Sequence, residues 1–364
     1  MTTVLDSLNA ALHTALANDS RVYILGEDIL DPYGGAFKVT RGLSTKYPDR
    51  VLTTPISEAA IVGISSGLAL RGMRPVAEVM FGDFVTLTAD QIVNHAAKFR
   101  WMYNDNVRVP LVLRAPMGGR RGYGPTHSQS LEKLFLGIPG LKVVAPNTLG
   151  GPGELLLAAI ADDDPVLFIE HKLLYPRTLL QPGSGELVDW EISRWGDPYP
   201  VFTLRVPNIE SSNITIATYG YNFELVLAAA RELMYEYEIF PEIVLFSQLS
   251  PFPSVSSSAS PFSPLSTSVS PLRRRPSVPE SNSPLHPLST SVAKTRRLLT
   301  VEEGTLTLGW GAEIAARSSE QVRDLRICRV AALDLPIANS KSLEDAILPS
   351  QETIQNAALE LIRK

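Results

Sequence analysis

Three observations predict an α/β protein of two doubly wound domains with mainly parallel sheets. Helical periodicity alternates with short apolar runs through residues 1–175. The same alternation restarts near residue 213 and continues to residue 364, and 364 residues are enough for two domains of ordinary size. Strands joined by crossover helices form parallel sheets that are covered on both faces.

In order, Val4, Leu5, Leu8, Ala11, Leu12, Ala15 and Leu16 share one helical face, and RVYIL (Arg21–Leu25) reads as a buried strand. A helix is predicted over Ser57–Leu70 with Ser57 as N-cap; Gly63 and Gly67, one turn apart, would let another backbone approach closely. Pro75–Phe81 is a predicted strand, Ala89–Tyr103 a helix and Pro110–Leu113 a strand. Lys142–Ala145 and Val166–Ile169 are strands around a helix that opens at Pro152, whose fixed φ suits a first turn. Residues 176–212, with PGSGE at Pro182–Glu186, lose the alternation and read as an interdomain connection. The second domain, 213–364, shows strands at Ile214–Thr218, Glu242–Phe246, Arg297–Val301 and Ile327–Leu333. Its helices are expected over Phe223–Tyr237, from Gly311 to about Val322, and from about Ser350 to Ile362.

A Ser/Pro-rich stretch at 250–292 interrupts that domain, holding 15 Ser and 9 Pro in 43 residues. Within it SPFSPLSTSV (Ser260–Val269) and SPLHPLSTSV (Ser283–Val292) agree at eight of ten positions. Such a composition buries too little apolar surface to offset the entropy of ordering, so a disordered insertion is expected, displacing the helix that strand–helix–strand order calls for. RRRPS (Arg273–Ser277) reads as solvated charge or as a kinase recognition site.

Net charge is −5, from 33 Lys plus Arg against 38 Asp plus Glu, so no nucleic acid or anionic membrane partner is expected. The single cysteine, Cys328, excludes a disulfide-stapled scaffold. Asp6 lies where a signal peptide carries basic residues, and no apolar run approaches membrane-spanning length; a cytoplasmic protein is expected.

Two residues draw attention as chemistry. Glu58 opens a helix in the apolar, small-residue context SEAAIVGISSG. It is either a first-turn acid favoured by the helix dipole or a buried carboxylate held to share a proton. His127, in GYGPTHSQS, follows the Gly-rich loop Met117–Gly124 with Arg120 and Arg121. It is either a hydrogen-bonded structural histidine or a group near a ligand. No His or Cys stands at zinc spacing from it, and GxGxxG, GxxxxGK[ST] and GxSxG are absent.

Longer stretches carry more: GEDILDPYGGAFKVTRGL (Gly26–Leu43), TPISEAAIVGISSGLALRGMRPVAEVMFGDF (Thr54–Phe84), DQIVNHAAKFR (Asp90–Arg100), THSQS (Thr126–Ser130), PGLKVVAPNT (Pro139–Thr148) and SLEDAILPS (Ser342–Ser350). With VEEG and GWGAEIAAR they make the chain, apart from its insertion, resemble the β subunit of the thiamine-diphosphate-dependent decarboxylase of 2-oxo acid dehydrogenase complexes. The resemblance implies a transketolase-like pyrimidine-binding domain followed by a transketolase C-terminal-like domain. It implies that Glu58 hydrogen-bonds the aminopyrimidine of thiamine diphosphate and activates it, that Phe84 lies beside that ring, and that His127 handles substrate or acyl transfer to a lipoyl arm. It also implies a structural potassium ion on the backbone at Leu111, Ala159, Ile160, Asp162 and Asp164. GDG followed by an asparagine, the family's diphosphate motif, is missing, so an α subunit is expected to bind magnesium and diphosphate in an α2β2 heterotetramer that serves a lipoyl acyltransferase core. The substrate implied is a 2-oxo acid. Acetoin cleavage or carboligation by the same half-site, and a noncatalytic assembly role, are the alternatives.

Overall fold

The computed structural model describes residues 2–252 and 283–363. The first domain contains α1 (Val4–Asn18), β1 (Val22–Gly26), α2 (Leu43–Lys46), β2 (Val51–Thr53), α3 (Glu58–Leu70), β3 (Arg74–Glu78), α4 (Ala97–Met102), β4 (Val112–Met117), β5 (Lys142–Val144), α5 (Pro152–Ala161) and β6 (Val166–His171). β7 (Glu191–Trp195), β8 (Val201–Arg205), β9 (Ile214–Tyr219), α6 (Asn222–Tyr237), β10 (Pro241–Phe246) and β11 (Gln248–Ser250) follow. The remainder is α7 (His286–Thr295), β12 (Arg297–Thr305), α8 (Trp310–Gln321), β13 (Arg326–Ala332), α9 (Lys341–Ile347) and α10 (Gln351–Arg363).

Two mainly parallel sheets result, as the alternation predicts. The first has the order β11-β5-β6-β4-β3-β1-β2, parallel except where β11 pairs antiparallel with β5. The second is β13-β12-β9-β10-β8-β7, with β8 and β7 antiparallel. β4 and β6 are buried along their whole length, as expected of central strands with helices on both faces. α1 begins on a capping box between Thr3 and Asp6, so Asp6 serves a helix start. Among the described residues no helix is long and apolar enough to cross a membrane.

The structure departs from the sequence reading in four places. The expected connection, 176–212, carries the β7–β8 hairpin of the second sheet. β7 is an exposed edge strand studded with charge, and Arg205 bridges to Glu191 across the pair at 2.7 Å, so it lacks an apolar run. The described ends of the 250–292 stretch are ordered, against what its composition suggests. Its first residue, Ser250, closes β11 on the first sheet, and residues 286–295 form α7, the helix the strand order calls for. Leu288 and Val292 are buried there, while Ser291 hydrogen-bonds Thr215 at 2.7 Å and Glu242 at 2.7 Å. Ser291 is thus buried with its hydroxyl hydrogen-bonded, where composition reads exposure. Residues 260–269 and 273–277 lie outside the described residues.

The third departure is the predicted helix over 89–103, which is interrupted by a wide π-type turn at Gln91–Ala96 before α4. The fourth concerns Gly63 and Gly67. A Cβ on Gly67 would meet nothing within 4 Å, and one on Gly63 only the Gln91 side chain at 3.6 Å. No backbone of this chain's described residues approaches them, and Ile64 between them is exposed.

Candidate active site

The parallel strands of the first sheet all end on one side, and the sequence-predicted catalytic residues follow those ends. Glu27 follows β1, Glu58 follows β2, Phe81 and Phe84 follow β3, the loop to His127 follows β4, and Lys172 follows β6. Open α/β sheets bind ligands at this edge. Register is held beneath it by Arg114 of β4, fully buried, whose guanidinium forks onto Glu170 of β6 at 2.7 Å and also reaches Glu78 of β3. Tyr175 adds a hydrogen bond to Glu170 at 2.7 Å.

Glu58 is the first residue of α3 and is buried. Ser57 occupies the N-cap position without a side-chain capping bond. The buried Glu27 carboxylate lies beside it. Burial, followed by the charge of Glu58, pushes the Glu27 carboxyl above its ordinary range. Glu27 Oε1 has no hydrogen-bond partner among the described residues, a buried acceptor left for a group the chain does not supply.

Phe84 and His127 come together: their rings lie 5.2 Å apart edge to face, and Phe81 packs at 4.8 Å from His127. Tyr123 and Phe37 extend this aromatic wall through Phe81 at 5.9 Å and 5.7 Å. The Thr126 hydroxyl stands 3.0 Å from His127 Nδ1, and Nε2 takes no hydrogen bond among the described residues. Lys172, fully buried, donates its ammonium to the His127 carbonyl and lies over the Phe81 and Tyr123 rings. Burial pulls this lysine down to about 8, against the pull of Asp83 and Glu303. Asp83 accepts from the Gln129 backbone and side chain, at 3.2 Å and 2.9 Å, tying the turn after β3 to the HSQ segment. Sequence reasoning missed Glu27 and Lys172: each sits among other titratable residues where an apolar strand ends, with nothing local to set it apart.

Leu111, Ala159, Ile160, Asp162 and Asp164 gather at the opposite end of the same strands, before β4 and β6. The Asp162 carboxylate is taken by Lys142 at 2.6 Å and Tyr199 at 2.8 Å, and that of Asp164 by Arg100 at 2.6 Å. Arg74 donates to the carbonyls of Ile160 at 2.9 Å and Asp162 at 3.0 Å; those of Leu111 and Ala159 accept from Val166 and Asp162. With the carboxylates paired and Arg74 on two of the carbonyls, the second lone pairs of these carbonyls are what the loop could offer a monovalent ion. Among the described residues, no group of three or more His, Cys, Asp or Glu is placed to hold a metal ion.

Comparisons with known proteins agree with this architecture. Residues 1–178 match the transketolase pyrimidine-binding domain and residues 284–354 the transketolase C-terminal domain. The chain is 34% identical over 360 residues to the pyruvate dehydrogenase E1 component subunit beta-1 of Arabidopsis thaliana, covering 98% of this chain and 88% of the relative. It is 40% identical over 230 residues to the 2-oxoisovalerate dehydrogenase subunit beta of Bacillus subtilis, covering 63% and 67%. It is also 40% identical over 254 residues to the acetoin:2,6-dichlorophenolindophenol oxidoreductase subunit beta of Cupriavidus necator, covering 67% and 71%. Among solved structures, a split-gene transketolase in an inactive β4 tetramer shares the fold, with a TM-score of 0.67 at 16% identity, covering 100% and 99%. With both domain matches and relatives that span nearly the whole chain in agreement, this chain belongs to the family of E1 β subunits of the 2-oxo acid dehydrogenases.

Proposed function

We propose that the chain provides the pyrimidine half of a thiamine-diphosphate site in a decarboxylating 2-oxo acid dehydrogenase that hands its acyl group to a lipoyl carrier. The observation that carries this reading is the buried Glu58 at the strand-end edge, with the unpartnered Glu27 oxygen beside it. When bound, thiamine diphosphate supplies the electron sink that lets carbon dioxide leave a 2-oxo acid.

The chain's own residues prepare that chemistry. Glu58 is the carboxylate placed to hydrogen-bond the ring nitrogen of the aminopyrimidine, and its burial keeps water from competing for that bond. Glu27, whose carboxyl is pushed up by burial and then by the charge of Glu58, adds a second acid at the same edge. Phe81 and Phe84 offer apolar ring faces that exclude water from the cofactor. His127 presents Nε2 for substrate handling or acyl transfer, while Thr126 engages Nδ1.

The missing diphosphate motif and the bare face of α3 support an α subunit that brings magnesium and diphosphate, in an α2β2 assembly docked to a lipoyl acyltransferase core. Ile56, just before Glu58, is 83% exposed, and Ile64, Gly63 and Gly67 continue that open surface. Potassium on the carbonyls of the Asp162 loop would brace the first domain away from the chemistry.

The test is calorimetric binding of thiamine diphosphate with magnesium, by the chain alone and after co-expression with an α subunit. Binding and 2-oxo acid decarboxylation only in the complex are expected, both impaired by Glu58→Ala. Tight binding by the isolated chain would overturn the half-site reading. Acetoin belongs in the substrate panel, given the 40% identity to the acetoin-oxidoreductase subunit.

A further inference from the structure

The loop that carries Tyr123 and His127 does not support itself. Gly118, Arg120, Gly122 and Gly124 all have left-handed backbone, with φ of 95°, 69°, 67° and 75°. Alternating left-handed residues prevent a regular ladder, and Arg120 adopts that region despite its Cβ. Hydrogen bonds within the segment are long: Gly118 to Gln129 at 3.3 Å and His127 to Gly124 at 3.3 Å.

Over residues 119–122 the anchors come from the second domain, while the His127 carbonyl is held by Lys172 of the first. Glu344 of α9, buried, accepts the Arg120 N–H at 2.7 Å on one oxygen and the Gly122 N–H at 3.2 Å on the other. Glu303 of β12 accepts the Gly119 N–H at 2.8 Å. The Arg120 guanidinium reaches the Pro349 carbonyl, and a Cβ on Gly119 would meet Leu348 at 2.6 Å, so the segment around α9 is packed against the loop. A buried carboxylate that accepts from two backbone donors of one turn is a strong, directional anchor.

We propose that Glu344 is a positioning residue that sets Tyr123 and His127 over the strand-end site from the other domain. This rests on the role of His127 given above. Glu344 touches neither the aromatic wall nor Glu58; it acts through the backbone of residues 120–122, three positions before Tyr123 at most. Displacing a substrate-handling group by a fraction of an ångström costs rate more than binding.

The test uses the full chain co-expressed with an α subunit, with Glu344→Ala, Glu344→Gln, His127→Ala and the double variant Glu344→Ala/His127→Ala. Amide exchange at residues 119–124 is expected to speed up at least about tenfold in Glu344→Ala, with α3 amides unchanged. The kcat for the 2-oxo acid is expected to fall about 10–100-fold with thiamine diphosphate affinity kept. The double variant is expected to be no slower than His127→Ala alone, because both changes remove one function. Glu344→Gln keeps one acceptor and should fall between, and it carries the test if Glu344→Ala does not fold. Unchanged loop exchange, or additive losses in the double variant, would overturn the proposal. Exchange is read without turnover, so an assembly inactive on every 2-oxo acid would sink the functional reading while leaving the loop anchor decided.

Discussion

The buried carboxylate of Glu27 lies close enough to Glu58 for the charge of the second to raise the proton affinity of the first. A pair of acids at the edge of a parallel sheet, one leading a helix and the other with an orphaned oxygen, is poised to share protons with a ligand.

Glu58→Gln therefore keeps the fold and loses activity. The amide fills the same volume but cannot exchange the proton, and a loss of about 10²–10⁴-fold in decarboxylation is expected. Circular dichroism should match the parent, and turnover measured with an artificial electron acceptor should not.

Stability should fall as pH rises through neutrality. Burial pushes the Glu302 carboxyl up to about 7, although it accepts the Gly311 and Trp310 N–H groups at the start of α8, at 2.8 Å and 2.7 Å. The folded state thus binds a proton that the unfolded state releases between the ordinary Glu range and about 7. That stabilisation is complete below the window and lost above it, and is worth roughly 3 kcal/mol. Glu302→Gln should flatten the decline in Tm between pH 5 and 8; an unchanged decline would assign it elsewhere.

α7 is structural although its sequence is Ser/Pro-rich. Leu288→Ala empties a site that is 2% exposed, and should cost about 2–4 kcal/mol in urea unfolding. A cost near zero would show that the helix contributes nothing to the second domain.

Potassium bound by the carbonyls of the Asp162 loop would stabilise the native state alone. Replacing potassium with choline at equal ionic strength should then lower Tm by about 2–4 °C. Equal Tm values in the two salts would remove the ion from this loop.

The sequence by itself determined the two-part α/β architecture, most of the parallel strands and their crossover helices, and the helix start at Glu58, because periodicity and apolar runs are local properties. The long motifs around Glu58, Phe84 and His127 also marked the family and the half of the site to expect. Tertiary structure alone decided what those residues meet. The β7–β8 hairpin is invisible to periodicity because one of its strands lies exposed at a sheet edge. α7 reads as disorder because its apolar residues are few and its Ser291 is buried by hydrogen bonds to Thr215 and Glu242, partners far away in the chain. Glu27 beside Glu58, Lys172 under the His127 carbonyl, and Glu344 on the loop from another domain are likewise long-range pairings. No window of sequence holds both members of such a pair, and only closure of the fold brings them together.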